Sequence, residues 1–152
     1  MFKVRKAVPA DLDRLAAFAY AEAVESEQSS FPTDTVRRGV AAGLADSALA
    51  RYWVLVDGEG EVVGSISVVR EWSDWRAGYY WWIQSLYLQP PYRGKGLLKL
   101  LLEKVREEAA AAGAVELRLY VNKGNERAIR AYLREGFVDL AYQIMALSLL
   151  PE

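Results

Sequence analysis

The most constraining feature of this sequence is a strand that leads through a glycine loop into a long helix. Residues Tyr79–Leu88 are β-like and aromatic, and a Pro-Pro pair ends them. Gly94 and Gly96 follow, and apolar residues then recur at helical spacing from Gly96 to about Ala112. A strand followed directly by an amphipathic helix indicates a fold in which helices pack against a sheet.

The rest of the chain predicts the same α/β class. Arg51–Asp57 and Glu61–Arg70 are expected to form a hairpin around an Asp-Gly-Glu-Gly turn. Strands are also expected at Phe2–Lys6, at Val115–Val121 and from Phe137 onward, where one or two strands include Tyr142–Leu149. The predicted order is β-α-α-β-β-β-α-β-α-β-β, a mixed sheet with helices on both faces. With no linker or repeat, residues 1–152 are expected to form a single domain.

Composition excludes several functions. The chain has no Cys and no His, so thiolate or His metal ligands, Cys nucleophiles and a Ser-His-Asp triad are absent. A net charge of −1 argues against binding nucleic acid or an anionic membrane. Apolar runs fall short of the roughly 20 residues of a membrane span, and the N-terminus lacks the apolar stretch of a secretion signal. A cytoplasmic protein is expected.

The glycine loop suits a phosphate. Free N–H groups at a helix start attract anions, and glycines allow close approach of the backbone. Arg93, Lys95 and Lys99 add positive charge. The chain lacks the G-x-x-x-x-G-K-[ST] loop of nucleotidases, and Lys99 stands where a dinucleotide fingerprint needs its third glycine. By itself, Gly-x-Gly is equally typical of a solvated turn.

A second motif follows the next strand. Asn125 can cap a helix that ends at Gly136, and Ala128 and Tyr132 lie three and seven residues further on, on the same face. A small residue and a phenol on one stripe can line a narrow channel. A single helical Tyr is more often part of a core.

In this order and spacing the two segments resemble the GCN5-related N-acetyltransferase (GNAT) family. That family carries Arg/Gln-x-x-Gly-x-Gly/Ala, read here from Arg93 to Leu98, and Asn-x-x-Ala-x-x-x-Tyr-x-x-x-Gly-Phe, read here from Asn125 to Phe137. The resemblance implies a mixed twisted sheet of about seven strands that splays between strands 4 and 5, with about four helices on both faces.

The resemblance also implies acetyl-coenzyme A as co-substrate, with no metal and no covalent enzyme intermediate. The residues implied for its binding are Leu86, Tyr87, Leu88, Arg93, Gly94, Lys95, Gly96, Leu97, Leu98, Asn125, Ala128 and Tyr132. A backbone N–H near Tyr87 would polarise the thioester carbonyl, and Tyr132 would protonate the departing thiolate. Leu98 replaces a residue that is usually small, and its bulk is expected to shift the cofactor.

Gln84 is the second departure from the family pattern, because some amine-acetylating members have a Glu base at this position. Gln cannot accept a proton from the amine. Neutralising a lysine-like ammonium at pH 7 costs about 4.6 kcal/mol, against about 1 kcal/mol for an α-amine. The chain is therefore expected either to acetylate a weakly basic amine or to use another carboxylate through water.

The acceptor site has carboxylate and aromatic candidates. They are Glu25 and Glu27 near the end of the first helix, and Glu71, Trp72, Asp74, Tyr80 and Trp82 in the aromatic hairpin. Rings beside acids can hold a cationic amine. Solvated surface acids and cross-strand packing are the alternatives.

These patterns predict an N-acetyltransferase in which a small-molecule or peptide amine attacks acetyl-coenzyme A directly. One alternative is a coenzyme A-binding sensor without turnover, which Gln84 favours. Another is an interaction domain whose aromatic hairpin is a protein interface. The apolar segment Ala141–Leu150 suits either a core strand or pairing across a homodimer.

Overall fold

The computed structural model describes residues 1–26 and 31–151 and divides the chain into two compact units. The first unit is Met1–Asn122 and the second is Lys123–Glu152. Each is described by itself below. The predicted Glu27 lies outside the described residues.

The first unit contains one mixed sheet of five strands. They are β1 (Lys3–Lys6), β2 (Arg51–Val56), β3 (Val62–Ser73), β4 (Gly78–Leu88) and β5 (Glu116–Leu119). Spatial order follows chain order, with antiparallel neighbours except for the parallel pair of β4 and β5. A parallel pair needs a crossover connection, and the long helix after the glycine loop supplies it.

The described residues form four α-helices, the number expected. They are α1 (Leu12–Ser26), α2 (Thr33–Ala45), α3 (Leu97–Ala111) and, in the second unit, α4 (Glu126–Arg134). Short 3-10 turns occupy Pro9–Asp11 and Pro90–Tyr92. The mixed α/β class is confirmed. None of the helices among the described residues has the length and apolarity needed to cross a bilayer.

Alternation along β2 divides the core between the two faces of the sheet. Val54 and Val56 point toward α1 and α2, where they pack with Phe18 and Val40. The intervening Leu55 points to the opposite face, on which α3 contacts β1, β2 and β3. The core on each face of the sheet is buried, since Val54 on one face and Leu55 on the other have no exposed surface.

The strand count differs from the expectation. Five strands form within the described residues, against about seven expected, and none lies after α4. The strands expected from Phe137 onward, including Tyr142–Leu149, are therefore not observed. A strand needs a hydrogen-bonded neighbour, and the described part of the second unit, taken by itself, holds no strand to pair with this segment.

A half-buried ion pair joins β1 to the start of α1. Asp11 is 7% exposed and accepts hydrogen bonds from the Arg5 guanidinium at 2.8 and 3.0 Å and from the Val8 amide at 2.8 Å. The hydrogen bond from Arg5 is the largest cause that lowers the pKa of Asp11. A lowered folded-state pKa means that the stabilisation is present above the ordinary carboxyl pKa and is lost as pH falls through the folded value.

We expect Asp11→Asn to lower the free energy of unfolding by about 1–3 kcal/mol near pH 7, because it removes a charged hydrogen-bond acceptor. The difference from wild type should shrink as pH falls below about 4. Urea denaturation across pH measures both. Asp34→Asn is the control, since its pair with Arg38 is exposed and should contribute less than about 0.5 kcal/mol. A loss that does not vary with pH would contradict the ion-pair account.

Candidate active site

The last two strands of the sheet, β4 and β5, part halfway along β4. Strand β4 pairs with β3 as far as Leu88, but with β5 only along Tyr80–Ile83. The N–H of Gln89 donates to Val63 in β3, so by alternation the N–H groups of Leu86 and Leu88 face the other side. This unpaired side of residues 84–88 is called the open edge below.

A β-bulge accounts for the parting. Ser85 pairs with Ser67, but Ile83 pairs with Val68, so Gln84 is an extra residue in β4. It comes directly after Ile83, the last residue that pairs with β5. Bulges bend a strand and increase its twist, which turns β4 away from its parallel neighbour.

Two groups of the open edge already have side-chain partners. The Leu86 N–H donates to Glu22 Oε2 at 3.0 Å, and the Leu88 carbonyl accepts from Arg93 Nε at 2.9 Å. An exposed strand edge can pair with an extended ligand through its backbone, and residues 86–88 present that edge. Of the predicted contacts with an extended arm, those left on this side of β4 are the Leu86 carbonyl and the Leu88 N–H, because the Leu86 N–H and the Leu88 carbonyl are engaged. The Tyr87 amide faces β3.

The glycine loop connects the open edge to α3. Gly94 and Gly96 both have φ +76°, a conformation that L side chains rarely adopt. Gly96 precedes the first helical residue, Leu97, whose amide and that of Leu98 belong to the helix start without intrahelical partners. The Arg93 amide donates to the Pro90 carbonyl at 3.2 Å. The amides from Gly94 to Leu98, together with the exposed Lys95, are therefore the groups of this loop that could hold a phosphate.

The Arg93 side chain turns back to α1 and β4. Its guanidinium lies 2.8 Å from Glu25 Oε1, and Glu25 Oε2 accepts a hydrogen bond from the Tyr87 hydroxyl at 2.9 Å. Burial first, and then the hydrogen bond to Glu25, raise the pKa of Tyr87. Glu25 thus holds the first residue of the glycine loop in place, rather than standing ready at an acceptor.

A cavity of about 440 Å³ lies within the first unit, between the helices α1 and α2 and the strands β2–β4. Its lining includes Glu22, Gln84 and Ser85. Two consecutive β4 residues face one cavity because the bulge suspends the usual alternation. Gln84 therefore lines the cavity. This position is compatible with the prediction that Gln84 lies near the acceptor amine.

The aromatic hairpin lies further along the sheet. Glu71 pairs with Tyr80 and Trp72 with Tyr79, and none of Glu71, Trp72, Asp74, Tyr80 and Trp82 lines the cavity. Trp82 Nε1 donates to Glu71 at 3.0 Å, and its ring stacks on Tyr120 with centroids 4.4 Å apart. Most of this cluster is thus engaged in packing, with Arg118 over the Tyr80 ring at 3.7 Å.

The second unit has the local geometry that its motif predicts. Asn125 Oδ1 accepts a hydrogen bond from the Ala128 N–H at 3.1 Å, so Asn125 caps α4. Tyr132 lies seven residues after the cap, on the same helix face as Ala128. The helix ends at Arg134, and Gly136, two residues further on, has φ +99°. The Tyr132 ring meets the Phe137 ring edge-on, with centroids 5.8 Å apart.

Glu22 is the site residue that the sequence reasoning missed. It stands four residues after Phe18 and seven after Leu15, and both are buried. An acid on the apolar stripe of an amphipathic helix is a signal that the helical spacing alone could have raised.

The described residues bring no three His, Cys, Asp or Glu side chains together as a metal ion would need.

The splayed mixed sheet and the glycine loop at a helix start define an acetyltransferase fold. A model of the acetyltransferase (GNAT) family matches residues 16–137, and the chain belongs to this family as an acyltransferase. The resemblance inferred from the two motifs is confirmed.

Relatives and solved structures agree with this assignment. The aminoalkylphosphonate N-acetyltransferase of Salmonella typhimurium is 34% identical over 135 residues, 89% of this chain and 84% of the relative. The crystal structure of "a possible acetyltransferase from Clostridium difficile 630" superposes with a TM-score of 0.91 and 32% identity over 99% of both chains. A predicted acetyltransferase with acetyl-CoA from Clostridium acetobutylicum shares the fold, with a TM-score of 0.78 and 18% identity over 97% of this chain and 96% of that one.

Gly64 sets the spacing of the strands that bear the open edge. A Cβ at this position would lie 2.7 Å from Leu88 Cδ2 and 2.8 Å from the Tyr87 carbonyl oxygen. We expect Gly64→Ala to lower the free energy of unfolding by about 1–3 kcal/mol, since the β3–β4 backbones must separate. Urea denaturation measures the change.

Gly39→Ala is the matched control for Gly64. Gly39 lies inside α2, and a Cβ there meets nothing within 4 Å. Ala should raise the free energy of unfolding by about 0.5–1 kcal/mol because it has the better helix propensity. Equal effects of the two substitutions would contradict the close contact at Gly64.

Proposed function

We propose that the protein transfers the acetyl group of acetyl-coenzyme A to the nitrogen of a small-molecule amine. The observation that carries this proposal is the open edge of β4, which runs directly into the glycine loop at the start of α3. The two features together match an extended amide-containing arm that ends in a diphosphate. The acetyl-coenzyme A in a structure of the same fold supports this ligand.

Each part of the cofactor is assigned by chemistry. The amides from Gly94 to Leu98, with Lys95, hold the diphosphate at the positive end of α3. Leu86 and Leu88 pair with the pantetheine arm, and an N–H of this edge polarises the thioester carbonyl. Leu98 donates through its amide, so its larger side chain is compatible with this role.

Catalysis is assigned to direct attack. The amine nitrogen bonds to the carbonyl carbon, the carbon–sulfur bond breaks, and Tyr132 protonates the thiolate, as the family motif implies for the residue at this position. The capped helix supports that role, because Asn125, Ala128 and Tyr132 share one face of α4. Asn125 and Ala128 line the cofactor channel in this assignment.

The acceptor is proposed to be a small molecule. The cavity of about 440 Å³ beside the open edge is of the size that single small ligands occupy. The similarity to an aminoalkylphosphonate N-acetyltransferase supports an amine of low molecular mass.

Gly96→Ala tests the diphosphate site. Ala resists φ +76° by about 1–2 kcal/mol, so the loop should shift and the affinity for coenzyme A should fall by about tenfold. Titration calorimetry measures the affinity. Gly113→Ala has the same φ strain at the far end of α3 and should leave the affinity unchanged. An absence of coenzyme A binding by wild type would remove the proposed function.

Tyr132→Phe tests the general acid. The rate of thiol release from acetyl-coenzyme A with an amine acceptor should fall by about 10²–10⁴-fold, while the affinity for acetyl-coenzyme A stays the same. Tyr20→Phe, which removes a phenol on α1 outside the cavity lining, is the control. An unchanged rate in Tyr132→Phe would exclude the phenol as the proton donor.

A further inference from the structure

We propose that Glu22 receives the ammonium group of the acceptor and takes its proton, in a cavity that selects amines with a neutral, largely apolar body. This inference rests on the proposed acetyl transfer. It assigns the role of general base to Glu22, because Gln84 cannot accept a proton. It also narrows the acceptor from any small amine to amines without an anionic group.

The cavity lining carries one kind of charge. Its apolar residues are Leu15, Phe18, Ala19, Ala23, Phe31, Val36 and Val40. Its neutral polar groups come from Tyr52, Ser65, Ser67, Gln84, Ser85 and Tyr87. Among the described residues that line it, Glu22 is the one acidic side chain, and neither Lys nor Arg is present. Such a wall favours one cation beside a carboxylate and disfavours a second, anionic group.

Glu22 lies where the cavity meets the open edge. Its Oε2 accepts the Leu86 N–H at 3.0 Å, and the same edge aligns the thioester in the proposed function. The attacking nitrogen must come within about 3–3.5 Å of the carbonyl carbon. A carboxylate that contacts the backbone of this edge would therefore lie near that nitrogen when the thioester is aligned along the edge.

Glu22 supplies the proton acceptor that a Glu at the position of Gln84 would have supplied. Both line the cavity, but only the carboxylate can accept a proton. The neighbouring acid on the same helix, Glu25, is held by Arg93 and Tyr87. Glu71, in the aromatic hairpin, lies outside the lining. Glu22 is thus the carboxylate that the geometry favours.

The proton balance is simple. Glu22 takes one proton from the ammonium group and later releases it to solvent. The neutral nitrogen bonds to the carbonyl carbon as the carbon–sulfur bond breaks. The nitrogen loses its second proton to solvent, and Tyr132 gives one to the sulfur and regains it from solvent.

The acceptor class follows from the lining. A phosphonate would bring negative charge close to the Glu22 carboxylate, and the described lining residues include no Lys or Arg that could bind the phosphonate. Like charges held close together cost several kcal/mol. The chain is therefore expected to differ in acceptor from its aminoalkylphosphonate relative, despite 34% identity.

The test uses two amines of matched size. Phenethylamine is protonated at pH 7, whereas O-benzylhydroxylamine is a weakly basic nitrogen on a body of the same shape. In Glu22→Gln the amide oxygen can still accept the Leu86 N–H, but the base is lost. We expect kcat/KM for phenethylamine at pH 7 to fall by about 10²-fold or more, and that for O-benzylhydroxylamine by less than about tenfold. Asp13→Asn, an exposed acid on α1, is the control and should leave both values unchanged.

Equal losses for the two amines, or a loss below about threefold for phenethylamine, would overturn the role of Glu22 as a base. A wild type that binds no acetyl-coenzyme A, or releases no thiol with any amine, fails at the proposed function instead. If the Glu22→Gln variant does not fold, the selectivity of the wild-type enzyme between two acceptors tests the inference. It should prefer phenethylamine to 2-aminoethylphosphonate by at least about tenfold in kcat/KM. Equality or the reverse preference would overturn the inference.

Discussion

The end of the hydrogen-bonded ladder between β4 and β5 at Ile83 is the constraint on which the rest of the site depends. Before this point the sheet is continuous, and beyond it β4 keeps only its β3 neighbour. Unpaired backbone groups in a sheet are costly unless something satisfies them, and here side chains of α1 and the glycine loop contact them. A sheet that closed fully would have no edge to present to an extended ligand. The bulge at Gln84 is therefore as important to the site as any side chain.

Helix α1 links the two halves of the site in the first unit. Glu22 holds the open edge at Leu86, and one turn later Glu25 holds Arg93, the first residue of the glycine loop. Both acids belong to the same helix, so a shift of α1 would move the cavity wall and the loop together. The two carboxylates have different surroundings. Glu25 is paired with a guanidinium, whereas Glu22 accepts the Leu86 N–H and lines a cavity with no other charged side chain among its described lining residues. This difference is the basis of the chemical role proposed for Glu22.

Much of the local structure was predictable because it depends on neighbours in the chain. The spacing of Leu97, Leu101 and Val105 predicted α3, and Asn125 three residues before Ala128 predicted the cap of α4. The glycine positions also follow from local geometry, since Gly94 and Gly96 adopt φ +76°. The strands expected after Phe137 show the limit of this approach. A strand depends on a partner, and apolar alternation alone does not specify one.

The sequence by itself determined the helices, the glycine loop and the family, because capping, periodicity and positive φ act over a few residues. Only the tertiary structure decided which carboxylate meets the open edge. Glu22 and Leu86 are 64 positions apart. Helical spacing marks Glu22 as an acid near the buried stripe of α1, but it marks Glu25, seven residues after Phe18, equally well and does not decide between them. The register that makes Gln84 the extra residue of β4 is likewise a property of the paired strands. Contacts between distant segments depend on how the helix packs against the sheet, and that packing is a collective result of the whole core.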